Sequence, residues 1–146
     1  MMVLGGYWVS LLELRKLAKN LDMDLGEDNI PNTGHYGRYI NNWLCDNIPD
    51  NIPEFKAAGI DWPRKSMQFG VIFISKVAAK EYFVPLEENA DDILVKGWLQ
   101  RGGADVVQWA TLEDPRGLAY GGTRPDKRTY TYRQVRILNS KGGEYV

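Results

Sequence analysis

A chain of 146 residues can bury one hydrophobic core, and we expect a single compact domain over residues 1–146. Its 44% hydrophobic and 25% charged residues are typical of globular proteins, and the 12% aromatic content argues against intrinsic disorder. The net charge of −1 is near neutral, and the one cysteine, Cys45, excludes an internal disulfide and a cysteine-rich zinc site.

The first part of the chain predicts helices. Ser10 and Glu13 have the spacing of a capping box, and the leucines that follow recur at helical intervals. After a polar loop, aromatic and aliphatic residues at the same spacing predict a second helix over 35–45. Pro53 suits the first position of a short third helix, and Gly59 suits its end.

Strand-forming residues dominate the second half. The run 67–75 is β-branched and aromatic with apolar residues on both alternating faces, which predicts a central strand covered on two sides. Three further runs of this composition predict strands over 82–84, 105–111 and 129–138. Asn89 predicts the cap of one more helix over 90–101. Helices followed mostly by strands predict an α+β fold, with N-terminal helices packed on a small mixed or antiparallel sheet.

Tryptophan and cysteine positions give further expectations about burial. Trp43 and Trp98 are predicted to face the core. Trp8 and Trp62 lie at element edges and are candidate surface anchors, since tryptophan is enriched at binding hot spots. Cys45 ends an apolar helix face and is predicted to be a small buried hydrophobic residue.

Positive charge is concentrated at the C-terminal end. Residues 115–146 contain seven positive and two negative side chains, a net charge of +5. The whole chain carries −1, so residues 1–114 are acidic, with a net charge of −6. An asymmetry of this kind suggests an anionic partner.

The basic end supplies the candidate binding residues, which lie in a Gly-rich loop and the predicted strand after it. Arginine can fork onto a phosphate, and a tyrosine ring can stack on a base. The candidates are Arg116, Tyr120, Arg124, Lys127, Arg128, Tyr130, Tyr132 and Arg136. The expected partner is nucleic acid or a protein with an acidic face. However, the loop lacks the spacing of a Walker A motif, and the same residue types are common on an exposed strand.

His35 is the only histidine, and it lies in the sequence Gly-His-Tyr-Gly-Arg-Tyr. Histidine is the usual general base near neutral pH, so His35 is the alternative catalytic residue. An enzyme acting on a nucleotide or phosphorylated substrate would combine it with Arg124 or Arg128 as the phosphate-binding group. A solvent-exposed histidine at a helix start is the simpler interpretation, because no partner for it is recognisable.

The acidic residues do not predict a metal site. Asp22, Asp24, Glu27 and Asp28 lack the register, the central glycine and the closing glutamate of an EF-hand, which favours a solvated loop. Asp91 and Asp92 suit the first turn of a helix, where the dipole favours anions. We therefore expect no metal and no cofactor.

These observations favour a small non-enzymatic binding or regulatory protein that works through its basic, tyrosine-rich end. Its size and its lack of a recognisable catalytic motif fit an inhibitor of the kind that a phage or another mobile element encodes. In a third hypothesis the acidic residues 1–114, and not the basic end, form the binding surface. They would mimic nucleic acid and inhibit a nucleic-acid-binding protein. The sequence leaves the oligomeric state open.

Location is inferred from what the sequence lacks. The longest strongly apolar run, 69–74, is far shorter than a membrane span. The first residues have neither the basic region nor the apolar region of a signal peptide. We therefore expect a cytoplasmic protein that does not enter the membrane.

Overall fold

The structure, a computed structural model, describes residues 1–23, 33–62, 68–114, 137–139 and 141–142. The elements in these residues are β1 (Met2–Ser10), α1 (Leu11–Leu21), α2 (Thr33–Asn47), β2 (Lys56–Trp62), β3 (Gln68–Ala79), α3 (Ala90–Arg101), β4 (Gln108–Asp114) and β5 (Ile137–Leu138). The strands form an antiparallel sheet in the order β2-β3-β1-β4-β5, so the predicted α+β class is confirmed. No helix in the described residues is long and apolar enough to cross a membrane.

β1 is the middle strand of the sheet, which corrects the prediction that helices come first. It pairs with β3 on one side and with β4 on the other, and every residue from Val3 to Val9 is buried. The sequence does not predict this strand, because Gly5 and Gly6 resemble a break in an apolar run. A Cβ on Gly6 would collide with the backbone of Phe73, so the close approach of β3 explains that glycine.

Alternate residues of β3 belong to two apolar clusters, one on each face of the sheet. Val71 and Phe73 pack with residues of all three helices. Ile72 and Ile74 pack in a second cluster whose described members all lie on strands. All four side chains are fully buried. The prediction of an interior strand with two covered faces is therefore confirmed.

β2 replaces the short helix that Pro53 and Gly59 predicted. Its pairing with β3 overrides those local preferences, and α2 covers the other side of the strand. The Asn41 side chain donates to the carbonyl oxygen of Ala57 at 2.6 Å and accepts from the N–H of the same residue at 2.7 Å, as a neighbouring strand would. A Cβ on Gly37 would lie 2.9 Å from the nitrogen of Gly59, so glycine permits this close contact.

The remaining predicted strands are partly corrected. Residues 82–84 form no strand and belong to the irregular connection between β3 and α3. The strand predicted over 105–111 is β4, displaced toward the C-terminus. Of the strand predicted over 129–138, only β5 lies within the described residues, and it pairs with β4.

Helix boundaries agree more closely with the sequence. The Ser10 hydroxyl accepts from the N–H of Glu13 at 3.4 Å and caps α1 as predicted. Asn89 and Asp92 form a complete capping box at the start of α3, which has the predicted bounds. α2 is longer at both ends than the predicted range 35–45. These signals are local, which is why consecutive residues suffice to recognise them.

The tryptophans divide between confirmed and wrong predictions. Trp98 is buried and Trp43 is half-buried, with ring centroids 6.3 Å apart, which agrees with their predicted inward orientation. Trp8 is not a surface anchor: it lies in the second apolar cluster, because β1 is an interior strand. The side chain of Trp62 lies outside the described residues.

Cys45 is exposed, which contradicts its predicted burial. Leu44 beside it is buried, and successive residues of a helix point about 100° apart. The rotation that turns Leu44 toward the core therefore turns Cys45 toward solvent.

Replacing Asn41 tests the cover over β2. We expect Asn41→Ala to lower the free energy of unfolding by about 1–3 kcal/mol, because two backbone groups of Ala57 lose their partner. Asn42→Ala is the matched control, since Asn42 is the exposed neighbour on the same helix. Urea unfolding of both variants makes the comparison. Equal unfolding midpoints for the two variants would contradict the assigned role.

Candidate functional site

A β-bulge at Ser75 is the main irregularity of the sheet. In the register between β1 and β3, Gly6 lies opposite Ile74 and Gly5 lies opposite Lys76, so Ser75 is the extra residue. A bulge interrupts the alternation of side chains along a strand. Ser75 and Lys76 consequently direct their side chains to the same group, although they are adjacent in sequence.

That group is the carboxylate of Asp92 in the first turn of α3. The Ser75 hydroxyl donates to it at 2.7 Å, and the Lys76 ammonium lies 3.0 Å away. The backbone N–H of Asn89 donates to it at 2.8 Å. The Asp92 side chain is only 3% exposed, and these three donors compensate its buried charge. The sequence explained Asp92 by the helix dipole alone and missed this ion pair.

Two aromatic residues and a glutamate extend the group. The buried Tyr7 hydroxyl donates to the carboxylate of Glu88, and the Tyr7 ring meets the Trp109 ring edge-on with centroids 5.0 Å apart. The Lys76 ammonium lies 5.6 Å from the centroid of the Trp109 ring. We call Tyr7, Ser75, Lys76, Glu88, Asp92 and Trp109 the bulge cluster.

The bulge cluster also fixes the chain that leads into α3. The Trp109 indole N–H donates to the carbonyl oxygen of Leu86 at 2.8 Å, and the N–H of Leu86 donates to the Thr111 hydroxyl at 2.8 Å. Lys76 donates to the carbonyl oxygen of Glu87. Side chains from three neighbouring strands therefore hold the segment before α3 against the sheet.

The protonation state of Tyr7 indicates what the bulge cluster can do chemically. Burial raises the pKa of Tyr7 far above its ordinary value, and the hydrogen bond to Glu88 and nearby negative charge raise it further. The phenol therefore stays protonated at physiological pH and acts as a hydrogen-bond donor. Asp92 is already bonded by three donors, so the geometry is that of a structural anchor.

A second polar contact joins α1 to the loop between α3 and β4. The Glu13 carboxylate accepts from the N–H of Asp105 at 2.7 Å and lies 3.1 Å from the Lys16 ammonium. Burial acts to raise the pKa of Glu13, but the bonds from Lys16 and from the backbone of Asp105 and Val106 outweigh it, so the pKa is lowered. The Ser10 half of the predicted capping box therefore forms, while the Glu13 side chain bonds a distant loop.

His35 lies in α2, but its side chain and that of Arg38 fall outside the described residues. Two neighbours in the same sequence cluster have packing roles: Tyr36 is buried in the core, and Gly37 contacts β2. These contacts account for part of the unusual composition of the cluster. A catalytic role for His35 stays a prediction.

The predicted binding residues lie outside the described part of the chain: Arg116, Tyr120, Arg124, Lys127, Arg128, Tyr130, Tyr132 and Arg136. The structure does describe both flanks of the stretch that contains them. Leu112 of β4 lies opposite Ile137 of β5, and Thr111 lies opposite Leu138. We call residues 115–136 the basic segment; it has six positive side chains and one negative side chain, a net charge of +5.

No protein-family model, curated protein or solved structure matches this chain. Within the described residues, no three histidine, cysteine or acidic side chains are grouped in a way that could hold a metal ion. The function must therefore be argued from the chemistry of the chain itself.

Removing the Asp92 carboxylate tests the bulge cluster as an anchor. We expect Asp92→Ala to lower the free energy of unfolding by about 3–5 kcal/mol, because Lys76 loses its anionic partner in a largely buried site and Ser75 and the N–H of Asn89 lose their acceptor. Asp91→Ala, an exposed neighbour in the same helical turn, should cost only about 0.3–1 kcal/mol. Urea unfolding of both variants measures the difference. Similar losses in the two variants would exclude the anchor.

Acid should weaken the contact made by Glu13. Because the pKa of Glu13 is lowered on folding from its ordinary value of 4.5, its stabilisation is present above that pH and is lost as the pH falls through the folded-state pKa. Glu13→Gln should therefore be less stable than the parent at neutral pH, and the difference should shrink in acid. Unfolding free energies at several pH values measure this, with the exposed Glu81→Gln as control. A difference independent of pH would contradict it.

Proposed function

We propose that the protein is a small binding or regulatory protein that contacts nucleic acid through the basic segment, residues 115–136. The observation that carries the proposal is the separation of charge along the chain. The basic segment has a net charge of +5 within a chain whose total is −1, so the other residues carry −6. The phosphates of a nucleic acid attract the positive basic segment and repel the negative remainder of the chain. This difference favours the basic segment as the contact.

The attachment of the basic segment to the sheet supports the proposal. Its flanking residues belong to β4 and β5, which are paired strands. Paired strands lie about 4.8 Å apart, and Ile137 lies opposite Leu112, two residues before the end of β4, so both ends of the segment start near each other on a hydrogen-bonded sheet. The paired strands β4 and β5 would therefore hold both ends of the segment in place while it contacts a partner.

The residue types favour nucleic acid over an acidic protein. Tyr120, Tyr130 and Tyr132 are interspersed with the arginines. Aromatic rings can stack on exposed bases while guanidinium groups bind phosphates, so nucleic acid can engage both residue types. The carboxylates of an acidic protein surface would engage the guanidinium groups but offer no base for the rings to stack on. An acidic protein partner is the main alternative.

The described polar groups support a role without catalysis. Tyr7 is held protonated, and Asp92 is bonded by three donors within the bulge cluster. Neither is a free acid or base for a reaction. An enzyme that uses His35 is the alternative function, and it predicts that His35→Ala would lower activity by about 10²–10⁴-fold without unfolding the protein.

Salt dependence of binding tests the proposal. The parent should bind single-stranded RNA or DNA with an affinity that falls steeply as salt increases, because binding releases counterions. Arg124→Ala combined with Arg128→Ala should make the slope of log affinity against log salt shallower by roughly 1.4, since each phosphate contact contributes about 0.7 on a single strand. Fluorescence anisotropy at several salt concentrations measures both slopes.

The control for that experiment removes the same number of positive charges from outside the basic segment. Lys19→Ala combined with Lys80→Ala removes two exposed positive charges from outside the basic segment and should leave the slope unchanged. Absence of binding at low salt would refute the proposal, as would equal effects of the two double variants. Binding to polyglutamate but not to nucleic acid would instead select the acidic-protein alternative.

A further inference from the structure

One face of the sheet is buried although no described helix contributes to its apolar cluster. All three helices belong to the first apolar cluster, on the opposite face. Within the described residues, the second cluster consists of strand residues: Leu4, Trp8, Ile72, Ile74, Ala110, Leu112 and Ile137. In one chain by itself, each of these side chains is at most 5% exposed. A sheet face is buried only when another layer packs on it, so the same chain must supply that layer.

The described connections between the elements do not supply this layer. Those that bury apolar side chains contribute to the first cluster, through Ile52, Phe55, Leu86 and Ala104. The layer must then come from a stretch outside the described residues. These stretches are 24–32, 63–67, 115–136 and 143–146, together with residue 140.

Two of the stretches are attached on the helix side of the sheet. Residues 24–32 join α1 to α2, and both helices pack in the first cluster. Residues 143–146 follow Gly142, which lies beside Pro85 in the segment held before α3. Neither stretch starts from the second face.

Residues 63–67 are too few to cover the second cluster. They join Trp62 to Gln68, which are paired across β2 and β3, so the stretch must return to the point from which it starts. Five residues span at most about 18 Å when fully extended. Ile74 lies six residues along β3 from Gln68, roughly 20 Å away. This stretch therefore does not reach the middle of the cluster.

The basic segment, residues 115–136, has both the length and the attachment points. It follows Asp114 of β4 and ends before Ile137 of β5. Ile137 and Leu112, which flank the segment, are members of the second cluster. The cluster extends over the four strands β3-β1-β4-β5, a width of about 14 Å at ~4.8 Å per strand. A segment of 22 residues can extend to about 70 Å, so it can cross this width and return.

The composition of the basic segment suits a layer with two different sides. Its aliphatic residues Leu118, Ala119 and Val135 can enter apolar contacts, and none of them is a candidate binding residue. Its six positive side chains must stay in water, because an unpaired buried charge is very unfavourable. Packing on the sheet and contact with an anionic partner would therefore use different residues of the same segment.

We propose that the second face of the sheet is the docking surface of the basic segment, which packs on it through Leu118 and Val135. The docked segment encloses Ile72, Ile74 and Leu112. The positive side chains then lie on the side of this layer that faces away from the sheet. This inference goes beyond the proposed nucleic-acid contact and does not depend on it.

Methyl NMR spectroscopy of the full chain tests the docking. In protein with labelled Ile, Leu and Val methyl groups, nuclear Overhauser effects connect only methyl groups that are close in space. We expect such effects between Leu118 or Val135 and the sheet residues Ile72, Ile74 and Leu112. Leu118→Ala and Val135→Ala each remove one set of signals and so assign the contacts. Contacts of the sheet methyl groups with residues of 24–32, and none with Leu118 or Val135, would overturn the proposal.

Replacing the docking residues tests the same contact by its effect on stability. Leu118→Asp combined with Val135→Asp should lower the urea midpoint and increase the fluorescence of a dye that binds exposed apolar surface. Leu12→Asp combined with Val106→Asp is the matched control, because these two side chains are 67% and 57% exposed. It makes the same change of residue type and charge and should leave both readouts near those of the parent. Equal midpoints for the two double variants would contradict the docking. Neither experiment contains nucleic acid, so failure here is distinct from failure of the proposed function.

Discussion

The extra residue in β3 is the local feature on which the attachment of α3 depends. In a regular strand, Ser75 and Lys76 would point to opposite faces of the sheet. The bulge lets both reach the carboxylate of Asp92, and the same carboxylate completes the cap of α3. The buried carboxylate of Asp92 therefore bonds both the bulge, which sets the register between β1 and β3, and the N-terminus of α3. Trp109 of β4 and Tyr7 of β1 add contacts to the segment before α3.

The parts of the fold that the sequence predicted are those whose determinants lie close together in the chain. Asn89 and Asp92 form a cap within four positions, and the two-sided apolar pattern of β3 is visible in its own residues. β1 and β2 were missed because their glycines resemble breaks. Gly6 permits the close approach of β3, and Gly37 of α2 permits the close approach of β2, so both contacts involve partners distant in sequence.

The polar contacts also divide into those that neighbouring residues in the sequence predict and those that depend on distant residues. Glu13 and Asp92 have conspicuous local explanations, a capping box and a helix dipole, yet each also bonds a partner distant in sequence, Asp105 and Lys76 respectively. Nothing in the sequence around either residue signals a contact so far along the chain. The candidate binding residues are the opposite case: net charge is a property of composition, so it is visible from the sequence, whereas the shape of the contact is not.

The central position of β1 has a consequence for how the chain assembles during synthesis. β1 is synthesised before both of its neighbours, β3 and β4, which end at Ala79 and Asp114. Its strongly apolar residues therefore stay unpaired until β3 and β4 have been synthesised. Loop closure over such separations slows folding, and unpaired apolar strands invite aggregation in the interval. The interval between the synthesis of β1 and that of β4 is therefore the period in which an apolar strand of this chain lacks its partners.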